Sequence, residues 1–208
     1  MNDSTVWETL VDEAREIASK ERILSKVLTE FILERESLSD ALGWRLASRL
    51  VKNSVPESDI RDLIKKAFEE DIEMLQSVEF DLIAVTERDP ACNDFISPFL
   101  YFKGFQALCC YRVAHFLWQK NRKDLALYLQ SLVAVVYSVD IHPAATIGKG
   151  ILLDHATGFV AGGTTVIEDN VSILHEVTLG GTGKDRGDRH PKIRSGVVIG
   201  AGAKILGN

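Results

Sequence analysis

The histidines of this chain are the side chains best suited to chemistry, because an imidazole exchanges a proton near neutral pH and can also bind a metal ion. There are five, and three of them, His155, His175 and His190, fall well inside the repeat region that ends the chain. His115 lies in an apolar helical stretch and is expected to be structural, and His142, which precedes a proline, is expected to have a structural or corner role. The search for a site therefore centres on residues 140–208.

His190 belongs to a densely charged segment. Residues 183–192 carry two arginines, two aspartates, two lysines and one histidine. Arg189 and His190 stand directly before Pro191, which stiffens the end of this loop. A plain surface insertion is the alternative, but loops on rigid scaffolds are where binding groups gather. The concentration of charge therefore favours a binding site.

The element that must position these residues is a six-residue repeat starting at Asp140. Such a period, with branched aliphatic residues at the leading position, predicts a parallel β-helix in which three hexads form one triangular coil. This repeat class usually coils left-handed. A β-sandwich is the alternative, but its strands recur at about 8–12 residues. The leading positions are Ile141, Ile147, Leu153, Phe159, Thr165, Val171 and Val177, then, after a ten-residue pause, Ile193, Ile199 and Ile205.

Two further patterns within this repeat bear on the site. His175 follows His155 by twenty residues, so the two are expected on the same side of the β-helix, one coil apart. Zinc is not expected, because carbonic anhydrases of this repeat class use a close pair of histidines on one coil and no such pair occurs here.

The preceding part of the chain has helical periodicity. Residues 1–138 are predicted to form an all-α oligomerisation domain and residues 139–208 the β-helix, which makes the fold α + β. The helices expected from apolar spacing lie around residues 7–17, over 21–35, after Ser37 or Ser39, from a Ser54–Glu57 capping box to Ser77, and over 101–119 and 122–137.

The composition argues against some classes of partner and indicates a cellular compartment. The net charge is −6 and there is no basic tract, so neither nucleic acid nor an anionic membrane is an expected partner. No apolar run approaches the roughly 18 residues of a membrane span, and no secretory signal is recognisable. Cys92, Cys109 and Cys110 are expected to be buried reduced thiols, which indicates the cytoplasm.

The sequence resembles the serine acetyltransferase family. The most specific segments are D-H-A-T-G at 154–158 and G-D-R-H-P-K at 187–192, in this order and spacing. The resemblance extends to 140–145, to 177–183 and into the helical half, where Arg88-Asp89-Pro90 and Lys103-Gly104-Phe105 also match. It covers nearly the whole chain and implies transfer of acetyl from acetyl-CoA to the hydroxyl of L-serine, the first step of cysteine synthesis from serine.

The resemblance also implies roles for individual residues. His155 would be the general base, a natural role for an imidazole facing a weakly nucleophilic hydroxyl. Asp140 would bond the far ring nitrogen of that histidine and fix its tautomer. Substrate binding would fall to Asp89 and Asp154 for the ammonium of serine and to Arg189 for its carboxylate, with His190 as a second substrate-binding and acid–base group.

The co-substrate and the assembly are likewise implied by the family. Gly180, Gly181 and Ala201 would bind acetyl-CoA, and a backbone N–H of the glycine pair would stabilise the thioester oxygen. The family forms trimers with active sites between neighbouring β-helices, and two trimers meet through the helical domains. L-Cysteine is expected to be a feedback inhibitor, because it is serine with sulfur in place of oxygen.

Some features depart from the family pattern. Gly163 stands where a glutamate is usual, and Glu176 is an extra carboxylate on the same coil, so a compensating swap is conceivable. The sequence ends early in the fourth coil, before the tail with which relatives dock to O-acetylserine sulfhydrylase, so that complex is not expected. Two alternatives stay open, a hexapeptide acyltransferase for another acceptor such as a sugar, and a non-catalytic oligomerisation module.

Overall fold

The structure is a computed structural model that describes residues 5–50, 55–183 and 186–208. Ser54, predicted to cap a helix, and Lys184 and Asp185 of the charged loop lie outside the described residues. The described helices are α1 (Val6–Lys20), α2 (Arg22–Leu28, followed by a π-helical turn, Thr29–Leu33), α3 (Leu38–Leu50), α4 (Glu57–Glu70), α5 (Ile72–Arg88), α6 (Ile96–Leu100), α7 (Lys103–Gln119) and α8 (Lys123–Tyr137).

The prediction of one helix over 54–77 is wrong, because two helices meet within that range. Asp71 has an extended backbone and its Oδ1 accepts a hydrogen bond from the Met74 amide at 2.9 Å. This side chain satisfies one of the free N–H groups at the start of a new helix, so α4 ends and α5 begins there. Helix α5 then continues to Arg88 and delivers Asp89 to the surface of the β-helix.

The second half is a parallel β-helix of three sheets. All strand pairs are parallel, and each sheet stacks every third strand. The predicted fold class, a helical region followed by a left-handed parallel β-helix, is confirmed. Strands β1 (Val139–Ile141), β4 (Phe159–Ala161), β7 (Thr178–Gly180) and β10 (Lys204–Leu206) form sheet A; β2 (Thr146–Ile147), β5 (Val166–Ile167) and β8 (Lys192–Ile193) sheet B; β3 (Leu152–Leu153), β6 (Ser172–Ile173) and β9 (Val198–Ile199) sheet C.

The strand register corrects the predicted six-residue beat. Ile141 pairs with Ala161, whereas Phe159 pairs with Val139, so the first coil holds two extra residues between β3 and β4. Residues two apart in a strand face the same side of the sheet. The six-residue repeat therefore continues in the second coil on a different row of inward-facing residues, which is still part of the core. The pairing of Ile167 with Ile193 places eight extra residues in the charged loop, instead of ten.

The two halves share one hydrophobic core and a buried ion pair. Asp81 on α5 is fully buried and accepts hydrogen bonds from Arg112 Nε at 2.8 Å and from the Ile151 amide at 2.8 Å. Arg112, on α7, also donates to the Gly148 carbonyl at 2.8 Å. Burial raises the pKa of Asp81 to about 6, while Arg112 and the Ile151 amide lower it. This pair ties the helices to the first coil, and only Ser138 separates α8 from β1.

Candidate active site at two corners of the β-helix

The first cluster of candidate residues surrounds the turn 154–158, between sheets C and A. His155 projects from this turn with a side chain that is 76% exposed, and its Nε2 lies 3.8 Å from Asp154 Oδ1. The predicted stacking of His155 and His175 is confirmed, because their rings meet edge to face with centroids 5.9 Å apart. Ala201 occupies the same corner one coil further on, where the neighbouring Gly202 amide donates to the His175 carbonyl at 3.0 Å.

A cavity of about 340 Å³ adjoins this turn. Its lining brings together Asp89, Asp154 and His155, three of the residues predicted to form the site, with Lys103 of α7 beside them. Asp89 caps the end of α5, and its Oδ1 accepts a hydrogen bond from the Ala91 amide at 2.9 Å. Two carboxylates and an exposed imidazole thus face one space, a set that can bind an ammonium group and accept a proton.

Asp140 bonds a different residue from His155, its predicted partner. Its Oδ1 accepts a hydrogen bond from Gln130 Nε2 at 2.6 Å. Within the described residues, no hydrogen bond joins Asp140 to His155, and the carboxylate nearest the imidazole is that of Asp154. Gln130 was not singled out from the sequence, because it lies in the middle of a helical pattern and carries no motif.

The second cluster lies at another corner, between sheets A and B, around the turn 162–164. His190 is only 8% exposed and packs on this turn. A Cβ atom on Gly162 would lie 1.9 Å from His190 Nε2, so only glycine leaves room for the ring. A Cβ on the next residue, Gly163, would lie 3.1 Å from Nδ1 of His142, which was expected to have a structural or corner role and adjoins this cluster.

Thr164 fixes the state of the His190 ring. Its Oγ1 accepts hydrogen bonds from the amides of Arg189 and His190, both at 3.1 Å, and lies 2.7 Å from His190 Nδ1. The Thr164 amide donates to Nδ1 at 3.3 Å, which makes this nitrogen a hydrogen-bond acceptor. The neutral ring then carries its hydrogen on Nε2 and presents it as a donor. Burial and the nearby Arg189 and Lys192 lower the pKa of His190, which favours this neutral form.

The remaining residues of the loop complete this corner. Lys192 Nζ donates to the Thr164 carbonyl at 2.8 Å and to Asp188 Oδ1 at 2.5 Å, which closes the loop onto the turn. Gly181 adjoins Arg189, because a Cβ there would lie 3.0 Å from Arg189 Cδ. Gly180 ends β7 beside it. Arg189 and His190, both predicted to bind the substrate, thus gather here, away from the carboxylates of the first corner.

The proposed compensation between Gly163 and Glu176 does not occur within one chain. Gly163 adjoins His142 at the second corner, whereas Glu176 packs against Gly158 at the first, with its Cγ 3.4 Å from a Cβ placed on that glycine. Both residues lie on the second coil, as the sequence indicated, but on different corners of the triangle.

Two kinds of feature are absent from the described ranges, a cluster of metal ligands and a membrane-spanning helix. Within these ranges, no group of three or more histidine, cysteine, aspartate or glutamate side chains is arranged to hold a metal ion. None of the described helices is long and apolar enough to cross a membrane.

Comparison with known proteins places the chain in a family. Residues 6–110 match the family described as serine acetyltransferase, N-terminal. The serine acetyltransferase of Salmonella typhimurium is 53% identical over 203 residues, which cover 98% of this chain and 74% of that protein. That of Haemophilus influenzae is 50% identical, with 98% and 76% covered.

Solved structures agree in fold over almost the whole chain. The Brucella abortus serine acetyltransferase in complex with coenzyme A has a TM-score of 0.94 at 49% identity, covering 98% of this chain and 81% of its own. Soybean serine acetyltransferase complexed with serine gives 0.94 at 51%, covering 98% and 84%, and a serine acetyltransferase complex with cysteine gives 0.95 at 50%, covering 98% and 84%. This chain therefore belongs to the serine acetyltransferase family.

Proposed function

We propose that this chain transfers the acetyl group of acetyl-CoA to the hydroxyl of L-serine, with release of CoA and O-acetyl-L-serine, and that the two corners described above form its active site. The observation that carries this proposal is the cavity at the first corner, where Asp89, Asp154 and His155 face one another. An amino-acid substrate needs an anionic partner for its ammonium group and a base next to its hydroxyl. This cavity offers both.

His155 is the proposed general base. Its exposed ring can approach the serine hydroxyl, take its proton and so allow the oxygen to attack the thioester carbon. The tetrahedral intermediate then collapses, the C–S bond breaks, and the proton held by the imidazole passes to the departing thiolate of CoA. Asp89 and Asp154 hold the ammonium group, and the charge of Asp154 also stabilises the imidazolium that forms. Asp140 remains a proposed orienting carboxylate for His155, and its hydrogen bond with Gln130 fixes its position.

The second corner supplies the complementary charges. Arg189 is the proposed partner of the serine carboxylate, and the Nε2 hydrogen of His190 can donate to that carboxylate or to the oxygen that becomes negative in the intermediate. The backbone N–H groups near Gly180 and Gly181, together with Ala201 at the first corner, are the proposed contacts of acetyl-CoA.

A homotrimer is the proposed assembly, and the separation of the corners supports it. Because His155 and His190 lie at different corners of one β-helix, a complete site needs the first corner of one subunit and the second corner of its neighbour. Acidic side chains dominate the first corner and cationic ones the second, so the two are complementary in charge. Two such trimers joined through their helical regions would give the hexamer predicted from the sequence.

Two further parts of the proposal concern regulation and location. L-Cysteine carries the same ammonium and carboxylate groups as serine, so it should compete for the same cavity and act as a feedback inhibitor. The cytoplasm is the proposed location, because Cys92, Cys109 and Cys110 are buried free thiols of the kind that a reducing compartment preserves.

The test is CoA release from acetyl-CoA, followed with a thiol reagent, for the unmodified chain and for His155→Ala. Release that depends on L-serine and disappears in the variant is the expected result. L-Serine methyl ester, which lacks the carboxylate, and 3-hydroxypropionate, which lacks the ammonium group, probe the second and first corners separately. Turnover of a sugar acceptor without turnover of serine would favour the alternative acyltransferase, and no turnover with any acceptor would favour the oligomerisation module.

A further inference from the structure

The turn that carries His155 has an unusual backbone. His155 and Ala156 both adopt left-handed conformations, with φ of 54° and 59°, and Gly158 follows with φ of 74°. A left-handed conformation is unfavourable for any residue with a Cβ atom, and two in succession add this cost twice. Such a turn persists only where surrounding contacts hold it, so the contacts that hold it also decide where the imidazole points.

The start of helix α7 provides two of these contacts. Gly104 packs so closely under the turn that a Cβ on it would lie 1.9 Å from the Leu153 carbonyl oxygen and 3.2 Å from the Ala156 Cβ. Beside it, Lys103 Nζ donates a hydrogen bond to Thr157 Oγ1. The backbone of Thr157 is held from the next coil, where the Glu176 amide donates to its carbonyl at 2.6 Å.

Lys103 also lines the cavity that holds Asp89, Asp154 and His155. The Lys103 ammonium group is bonded to Thr157. The side chain therefore lines the substrate cavity and is also anchored to the turn that carries the imidazole. We propose that Lys103 is a positioning residue for the acetyl transfer, which holds His155 in its reactive orientation through the Thr157 hydroxyl. This inference rests on the proposed function, because it assumes that His155 is the base.

Two other roles for Lys103 make different predictions. A lysine that only offsets the charges of Asp89 and Asp154 would weaken the binding of the serine ammonium, so its removal should lower KM and leave kcat unchanged. A lysine that only stabilises the fold would change the unfolding temperature and leave both kinetic constants intact. A positioning role instead predicts a fall in kcat with KM for serine nearly unchanged, because the transition state loses its aligned base while substrate binding does not.

The experiment is a double-mutant cycle on the full chain with Lys103→Met, Thr157→Val and the double variant, measured as serine-dependent CoA release. Each single variant should lower kcat on the order of tenfold, the value of one hydrogen bond to a charged group. The double variant should be no slower than the singles, because both remove the same bond. Thr157→Ser, which keeps the hydroxyl, should restore most of the rate. Lys120→Met, at the exposed far end of the same helix, is the matched control and should be unaffected.

The outcomes separate this inference from the function on which it rests. Unchanged kcat in Lys103→Met, a fall in KM alone, or losses that multiply in the double variant would each overturn the positioning role. If His155→Ala abolishes release while Lys103→Met is fully active, only the inference fails. If His155→Ala keeps its serine-dependent release, the assignment of the base fails first, whatever the Lys103 variants do.

Discussion

Gly162 is the most sharply constrained residue of the second corner, and Gly162→Ala tests the placement of His190. An added Cβ would lie 1.9 Å from Nε2 and 2.1 Å from Cδ2 of that ring, whereas ordinary contacts begin at 3.4 Å. Gly162 itself has no left-handed backbone, so alanine adds no conformational strain there. The whole effect must therefore come from the displaced imidazole.

The size of the displacement sets the expected loss. Restoring an ordinary contact requires the ring to move by about 1.5 Å, in a surrounding that is close-packed. A shift of that size breaks the 2.7 Å contact between Nδ1 and Thr164 Oγ1. Misplacement of a reacting group by about 1 Å can cost on the order of a hundredfold in rate. We expect kcat for serine-dependent CoA release to fall by about that factor, with the unfolding temperature changed by only a few degrees.

Gly163→Ala is the matched control, one residue further along the same turn. Its Cβ would lie 3.1 Å from His142 Nδ1, a contact that a shift of a few tenths of an ångström relieves. The expected loss of kcat is less than about threefold. Full activity in Gly162→Ala, or equal losses in the two variants, would refute the claim that His190 must occupy its position against Gly162 for the reaction.

Three further predictions address the assembly, the buried ion pair and the histidines. His155→Ala and His190→Ala, each inactive alone, should regain about a quarter of the wild-type activity when co-expressed in equal amounts, because random mixing leaves about a quarter of the sites between subunits with both histidines. No recovery in mixed trimers would place each site within one subunit. Asp81→Ala should lower the free energy of unfolding by about 3–5 kcal/mol in urea titrations, because it leaves Arg112 buried without its carboxylate, and a change below about 1 kcal/mol would contradict this. Folding lowers the pKa of His142, chiefly by burial, and of His190. The unfolded chain therefore binds protons first as the pH falls, so their contribution to stability is complete above about pH 6.5 and declines below it; His190→Asn should flatten the dependence of the unfolding temperature on pH in this range.

The sequence predicted the fold class and most helices because these depend on periodic burial. The break at Asp71 was missed, since a single capping aspartate inside an amphipathic pattern does not disturb the apolar spacing on either side. The two extra residues at 154–158 were missed for a related reason. A slip of two keeps every second side chain inside the β-helix, so the six-residue beat continues while the register changes.

The predicted site residues stay a prediction, and sequence spacing alone could not assign them to corners. The resemblance implied that Asp154, His155, Arg189 and His190 share one site between neighbouring β-helices, and one chain holds them at two corners. Gln130 and Gly162 had no motif to mark them, and Lys103 stood in a segment that matched the family but carried no assigned role. Their importance lies in contacts with residues distant in sequence, 54 positions from Lys103 to Thr157 and 28 from Gly162 to His190.

The shared core between the helices and the first coil gives the β-helix a defined starting point for folding. In a repeat structure each coil is stabilised by its neighbours, so order can spread from whichever coil forms first. Here the first coil rests on α7 and α8 and is tied to the helical half by Asp81 of α5 and Arg112 of α7. Coils added later depend on the ones before them, and the helical half acts as the template for the first. A defect at the junction should therefore delay the assembly of the whole β-helix, whereas a defect in a later coil should spare those already stacked.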